Sequence, residues 1–145
     1  MAQSSSAESA NRGQQSGHVL SGAMDPALKA KWVEALRSGE YQQCRTNLRH
    51  GDSYCCLGVL AEVSDLGSFV EDNHKPGIFS FAYPGEDRTH GVLPDAARLV
   101  IGLSYFHHEK CWKMNDSEGR SFAEIADYIE ANIPTKDNSL AESSS

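Results

Sequence analysis

No apolar run in this 145-residue chain approaches the ~20 residues that a membrane-crossing helix needs. Its start has neither a basic cluster nor the ~7–15-residue apolar stretch of an export signal. Neither membrane insertion nor secretion is therefore expected. A basic surplus is missing too: the formal net charge is −7, which argues against broad affinity for nucleic acid. There is no glycine-rich phosphate loop, dinucleotide fingerprint, HExxH or CxxC, so the familiar nucleotide enzymes are disfavoured and no cofactor is expected. No repeat at solenoid periods is visible.

Large apolar side chains are scarce at both ends. Residues 1–23 carry only Val19 and Leu20 of that kind, and DNSLAESSS at 137–145 is similarly polar. Such segments cannot offset the entropy lost on ordering, so both are expected to be disordered, leaving 24–136 as one folded domain. Four cysteines, Cys44, Cys55, Cys56 and Cys111, would suggest disulfides in a small secreted protein. Without an export signal, and with a core available, reduced thiols are expected.

Several elements are marked by local chemistry. Asp25-Pro26 supplies an N-cap and a first-turn proline, and Leu28, Trp32, Ala35 and Leu36 recur at helical spacing until Gly39. Residues 41–48 are less periodic and allow a further helical turn. The run YCCLGVLAEV from Tyr54 is apolar nearly all round, with Asp52 and Ser53 as N-cap candidates, and its length favours a buried helix. Gly58 within it suggests a close crossing by another backbone.

Between Phe69 and Val92, Pro76-Gly77 and Pro84-Gly85 punctuate Ile78, Phe79, Phe81 and Tyr83, which reads as short strands with one hairpin-like pair. Leu93-Pro94-Asp95 opens a helix with Ala96, Ala97, Leu99, Val100 and Ile101 inside and Gly102 at its end, and Leu103 packs back on it. Ser121 and Glu124 form a capping box ahead of the stripe Phe122, Ile125, Ala126, Ile129 and Ile133, which Pro134 closes. The fold class is α+β: four or so short helices packed with a small antiparallel sheet.

Four blocks, MDPALKAKWVEALRSGEYQQ from Met24, YCCLGVLAEV, VLPDAARLVIGL and MNDSEGRSFAEIADYIEANI, occur in one order and cover most of the folded unit. In this the chain resembles a family of small uncharacterised proteins of tailed phages and prophages. The resemblance implies a viral or prophage context, action in the host cytoplasm, and Met24 as a natural start. It implies no catalytic or binding residue.

Candidate chemistry must come from the residues themselves. Cys55 and Cys56 stand at a predicted helix start, where amides and the dipole can favour a thiolate; with His90 as base and Asp116 or Asn115 as orienter, a thiol-dependent hydrolase or transferase is conceivable. The plainer reading is that the cysteines pack as small apolar side chains. His107, His108 and Cys111, with His74 or His90, are metal-type ligands, but paired ligand spacing is missing and solvated side chains on a loop or strand end are the simpler expectation. Asn115-Asp116 suits a turn tightened by side-chain bonds to the backbone, with ligand binding by Asp116 as the alternative.

Lys29, Lys31, Arg37, Arg45 and Arg49 form a local basic excess that could meet an acidic partner or simply be solvated. Among the aromatics, Trp32, Trp112, Phe122 and Tyr128 suit core packing, whereas Tyr105, Phe106 and Trp112 fall where an exposed loop could present them. The function expected is a non-catalytic binding module for a host or viral protein or a small ligand, with Lys29, Lys31, Arg45, Arg49, Tyr105 and Trp112 as contact candidates. A DNA-associated role for the basic stretch is a third possibility.

Overall fold

The computed structural model describes residues 23–136. The expected disordered segments, 1–23 and 137–145, lie outside it except for Ala23. The element order is α1 (Pro26–Ser38), β1 (Gln42–Gln43), β2 (Arg49–His50), β3 (Ser53–Tyr54), α2 (Cys56–Ser64), β4 (Ser68–Glu71), β5 (Ile78–Ala82), α3 (Asp95–Ile101), α4 (Tyr105–Asp116) and α5 (Phe122–Asn132). The class is α+β, with five helices among the described residues.

Where the sequence carries capping chemistry, the helices obey it. The Asp25 carboxylate accepts from Leu28 N–H at 3.0 Å, Pro26 is the first helical residue, and Gly39 closes α1 at φ 81°. Ser121 Oγ accepts from Glu124 N–H while the Glu124 carboxylate accepts from Ser121 N–H, so both halves of the capping box of α5 are made. Gly102 ends α3 at φ 89°, its N–H shared between the Arg98 and Leu99 carbonyls, and buried Leu103 folds back by donating to Arg98.

The helix in YCCLGVLAEV begins later than its apolar run. Tyr54 belongs to β3, and the cap is neither Asp52 nor Ser53 but Cys55, whose Sγ accepts from Gly58 N–H at 3.3 Å. Every residue from Cys56 to Ala61 is buried. The close crossing expected at Gly58 is made by Leu48: a Cβ there would lie 1.8 Å from the Leu48 carbonyl oxygen.

Residues 41–48 form no helical turn. They contain β1 and a loop in which Thr46 adopts φ 77°. The sheet is also larger than a hairpin, and mixed rather than antiparallel: its order is β1-β3-β2-β5-β4, with β1 and β3 parallel and the other pairs antiparallel. The expected hairpin is its outer part, β4–β5. Three of the strands are two residues long, too short for any alternation to show.

α4 replaces the loop expected around His107–Cys111. Ser104 caps it, accepting from His107 N–H at 3.2 Å, and its inward stripe is His108, Cys111, Met114 and Asn115. The spacing is helical although half the residues are polar. α2 lies at the centre, packed by α1 and α4 and joined to the sheet through β3, while α5 packs on α1 and α4. The two ends of the folded unit meet, with Met24 N–H donating to Pro134 O and Lys136 N–H to Met24 O.

Candidate functional site

Cys55 and Cys56 are buried side chains with internal bonding. Besides the cap made by Cys55, the Cys56 thiol donates to the Cys111 carbonyl at 3.4 Å. Desolvation pushes the Cys55 thiol up to about 12 and Cys56 well above its ordinary value, the opposite of what the helix start alone would do. His90 contributes its backbone instead: its carbonyl accepts from Leu48 N–H at 2.6 Å and its side chain is exposed.

Asp116 and Asn115 do meet this region, as a lock. They form the last turn of α4, not a turn before α5. Buried Asn115 accepts through Oδ1 from Gln43 Nε2 at 2.8 Å and from Cys56 N–H at 3.2 Å, and donates through Nδ2 to the Cys44 carbonyl at 2.9 Å. Asp116 Oδ1 accepts from Asn115 Nδ2 at 2.8 Å and from the N–H of left-handed Thr46 at 2.9 Å. Arg45 Nε donates to the Asn115 carbonyl at 3.1 Å. One side-chain pair thus ties β1, the following loop, the start of α2 and the end of α4.

The would-be metal ligands are split among three neighbours. His107 Nδ1 lies 2.9 Å from Tyr128 Oη on α5, His108 Nε2 accepts from Leu93 N–H at 3.2 Å, and Cys111 faces Cys56. Accepting at Nε2 leaves the neutral His108 ring with its proton on Nδ1, a buried atom without a partner. Burial, followed by the charge of Arg98, lowers its pKa to about 4.

The basic excess is largely committed internally. Lys29 Nζ donates to the Ile133 and Glu130 carbonyls at the end of α5, Arg37 pairs with Asp127 and Glu130, and Lys31 is exposed. Arg49 is held on the sheet, its guanidinium 4.0 Å from the Phe79 ring centre and 5.4 Å from that of Tyr54. A shallow groove of about 650 Å3 runs along α1 past Lys29, Val33, Glu34, Arg37 and Glu130, and these same pairings engage Lys29, Arg37 and Glu130 on its rim.

What remains outward-facing is apolar. Six large apolar side chains are exposed among the described residues, and four of them stand within 99–106: Leu99 (53%), Val100 (55%), Tyr105 (54%) and Phe106 (68%). They lie on the last turn of α3 and the first turn of α4, about the Gly102–Ser104 corner. The guanidinium of Arg98 approaches the Tyr105 ring at 5.6 Å across that corner. Trp112, by contrast, is half-buried farther along α4.

Leu99 and Val100 fall within the helix that the sequence predicts, but a helix as short as α3 buries one face, and Ala97 and Ile101, four residues apart, are that face. The legible signal was the excess of apolar residues between 96 and 101 over what one helical stripe can hold.

A family model matches residues 24–76. It is described as a domain of unknown function (DUF8296). The match spans α1 through β4 and stops before β5, so the apolar corner lies outside it. No curated protein and no solved structure matches the chain.

Proposed function

We propose that the chain is a non-catalytic binding module, a small phage-type accessory protein that docks a host or viral protein through the corner between α3 and α4. The observation that carries this reading is the concentration of exposed Leu99, Val100, Tyr105 and Phe106 on two consecutive helical turns; among the described residues the other exposed large apolar side chains, Val70 and Val92, stand apart and are less exposed. Contiguous apolar surface of this kind is characteristic of interaction sites, and aromatic anchors contribute strongly to interface energy. The neighbouring Arg98 and Tyr105 supply the mixed polar and aromatic character that such patches use. The buried, proton-holding thiols favour the same reading over a thiol enzyme.

The phage context belongs to the proposal and rests on the four sequence blocks. An affinity pulldown from bacterial or phage-infected lysate tests the docking role, run in parallel with the Leu99→Ser/Phe106→Ser variant. Both substitutions lie on exposed positions, so the thermal melt should change little. Capture that disappears in the variant supports the docking corner. Capture that persists unchanged places the binding surface elsewhere and sinks it.

A further inference from the structure

Four buried side-chain atoms lack a hydrogen-bond partner among the described residues, and two of them, Arg98 Nε and His108 Nδ1, flank the apolar corner. Both are N–H donors, because His108 Nε2 accepts from Leu93 N–H. Both border Tyr105: the Arg98 guanidinium carbon lies 5.6 Å from its ring centre, and the centre of the His108 ring 5.8 Å. A helical side chain leans over the turn that precedes it, which sets His108 under the first turn of α4. The positive end of the α4 dipole is at the same place.

The charge of Arg98 is only loosely answered from within the chain. Its Nη1 donates to the Leu103 carbonyl at 3.1 Å, and its Nη2 stands 3.4 Å from the carboxylate of Asp95, whose side chain is 79% exposed. So exposed a pair contributes little. Glu109, the other acidic group facing His108, is engaged by Lys113 at 3.1 Å. The corner therefore offers unused donors and positive charge beside apolar surface.

We infer that the partner's docking segment is acidic as well as apolar, packing leucine- or phenylalanine-like side chains on Leu99, Val100 and Phe106 and placing a carboxylate against Arg98 and His108. This rests on the corner being the docking surface. The two oxygens of a carboxylate can accept from Nε–H and Nδ1–H together, and a buried donor without an acceptor carries a cost that the arriving carboxylate removes. Tyr105, half exposed, turns aside to admit it, a rotamer change within reach of a surface side chain. A phosphate fits less well, since its second charge would be desolvated against apolar neighbours without a partner.

The probes are an end-blocked peptide of leucine and phenylalanine with a central aspartate, and the same peptide with asparagine in that place, each titrated into the full chain by nuclear magnetic resonance. The aspartate peptide should bind about 10-fold more tightly, as a charged hydrogen bond requires, and should shift the Arg98 Nε–H and His108 Nδ1–H signals. Arg98→Gln should erase the preference. Because that variant also alters the bond to Leu103, Asp95→Asn, on an exposed side chain, provides a second one and should raise the preference about 2- to 3-fold. Equal binding of the two peptides, lost for both in Leu99→Ser/Phe106→Ser, leaves the docking corner standing and overturns the carboxylate alone. A preference that leaves both signals unmoved, or that survives Arg98→Gln in a folded variant, overturns it as well, as does binding of neither peptide. Ring shifts of Tyr105 and Phe106 that depend on chain concentration, with a dimer in sedimentation, overturn it in favour of a second copy.

Discussion

Asn115 Oδ1 receives the backbone N–H of Cys56 at 3.2 Å, so the end of α4 satisfies a donor at the start of α2. The first N–H groups of a helix have no partner within it, and at a buried start water cannot serve them. Gln43 and the Cys44 carbonyl meet the same amide group, which makes Asn115 the shared partner of three segments. Asn115→Ala leaves a buried donor and a part-buried carbonyl unsatisfied, the donor alone at about 1–3 kcal/mol. We expect urea denaturation to show a loss of about 3 kcal/mol, with protection of the Cys56 amide against hydrogen exchange falling in parallel. A loss below about 1 kcal/mol would mean that this amide is not the lock.

Gly58 makes a second, steric junction between the same parts of the fold. A methyl group there would lie 1.8 Å from the Leu48 carbonyl oxygen, and that oxygen already accepts from Cys55 N–H at 3.0 Å. Neither backbone can retreat without breaking a bond. Gly58→Ala is expected to destabilise by about 3 kcal/mol or more despite alanine's better helix propensity. Gly39→Ala is the control: nothing stands within 4 Å, and only its φ of 81° resists a side chain, for about 1–2 kcal/mol. Equal losses in the two variants would refute the close crossing.

The parts of this fold that can be read from sequence are those whose cause is local. Ser121 with Glu124, Asp25 with Pro26, and Gly102 each determine a helix boundary from within a few residues, and the structure uses all three. β2 and β3 cannot be read that way, because two residues show no period, and β2 is joined on its other side to β5, some thirty residues along the chain. α4 was hidden for another reason: His108 and Asn115 occupy inward positions that sequence patterns reserve for apolar side chains, and their partners, Leu93 and Cys56, are fixed only by the tertiary fold. The apolar corner was half legible. Tyr105 is a contact candidate from sequence, whereas nothing in the sequence says which face of the short helix Leu99 and Val100 occupy.

The sulfurs provide a prediction that separates packing from chemistry. With Cys55 near 12 and Cys56 also raised, thiolate is negligible at pH 7.5, and labelling by iodoacetamide should be at least about 100-fold slower than for an exposed cysteine. Denaturant should restore ordinary rates. The linkage has a definite sign: the unfolded thiol ionises near 9.0 and the folded one near 12, so stability is full below pH 9 and falls as pH rises towards 12. Rapid labelling of either residue in the folded chain at neutral pH would revive the thiol enzyme.

Acid acts through His108. Its Nε2 accepts from Leu93 N–H, so the folded chain holds the ring neutral down to about pH 4, whereas an unfolded histidine takes up its proton near 6.5. Between these values the unfolded state binds more protons, and stability must therefore rise with pH across that window. The groups facing the ring have opposing effects, Arg98 lowering its pKa and Asp95 and Glu109 raising it, while burial remains the largest influence. The shift corresponds to about 3 kcal/mol, fully present above pH 6.5 and lost progressively down to pH 4. Urea midpoints measured from pH 7 to pH 4 should fall accordingly. His108→Phe removes the titration and should flatten the profile in that window, even if the lost bond to Leu93 lowers stability at every pH. A variant whose profile stays as steep as that of the parent chain would show that another group carries the acid sensitivity.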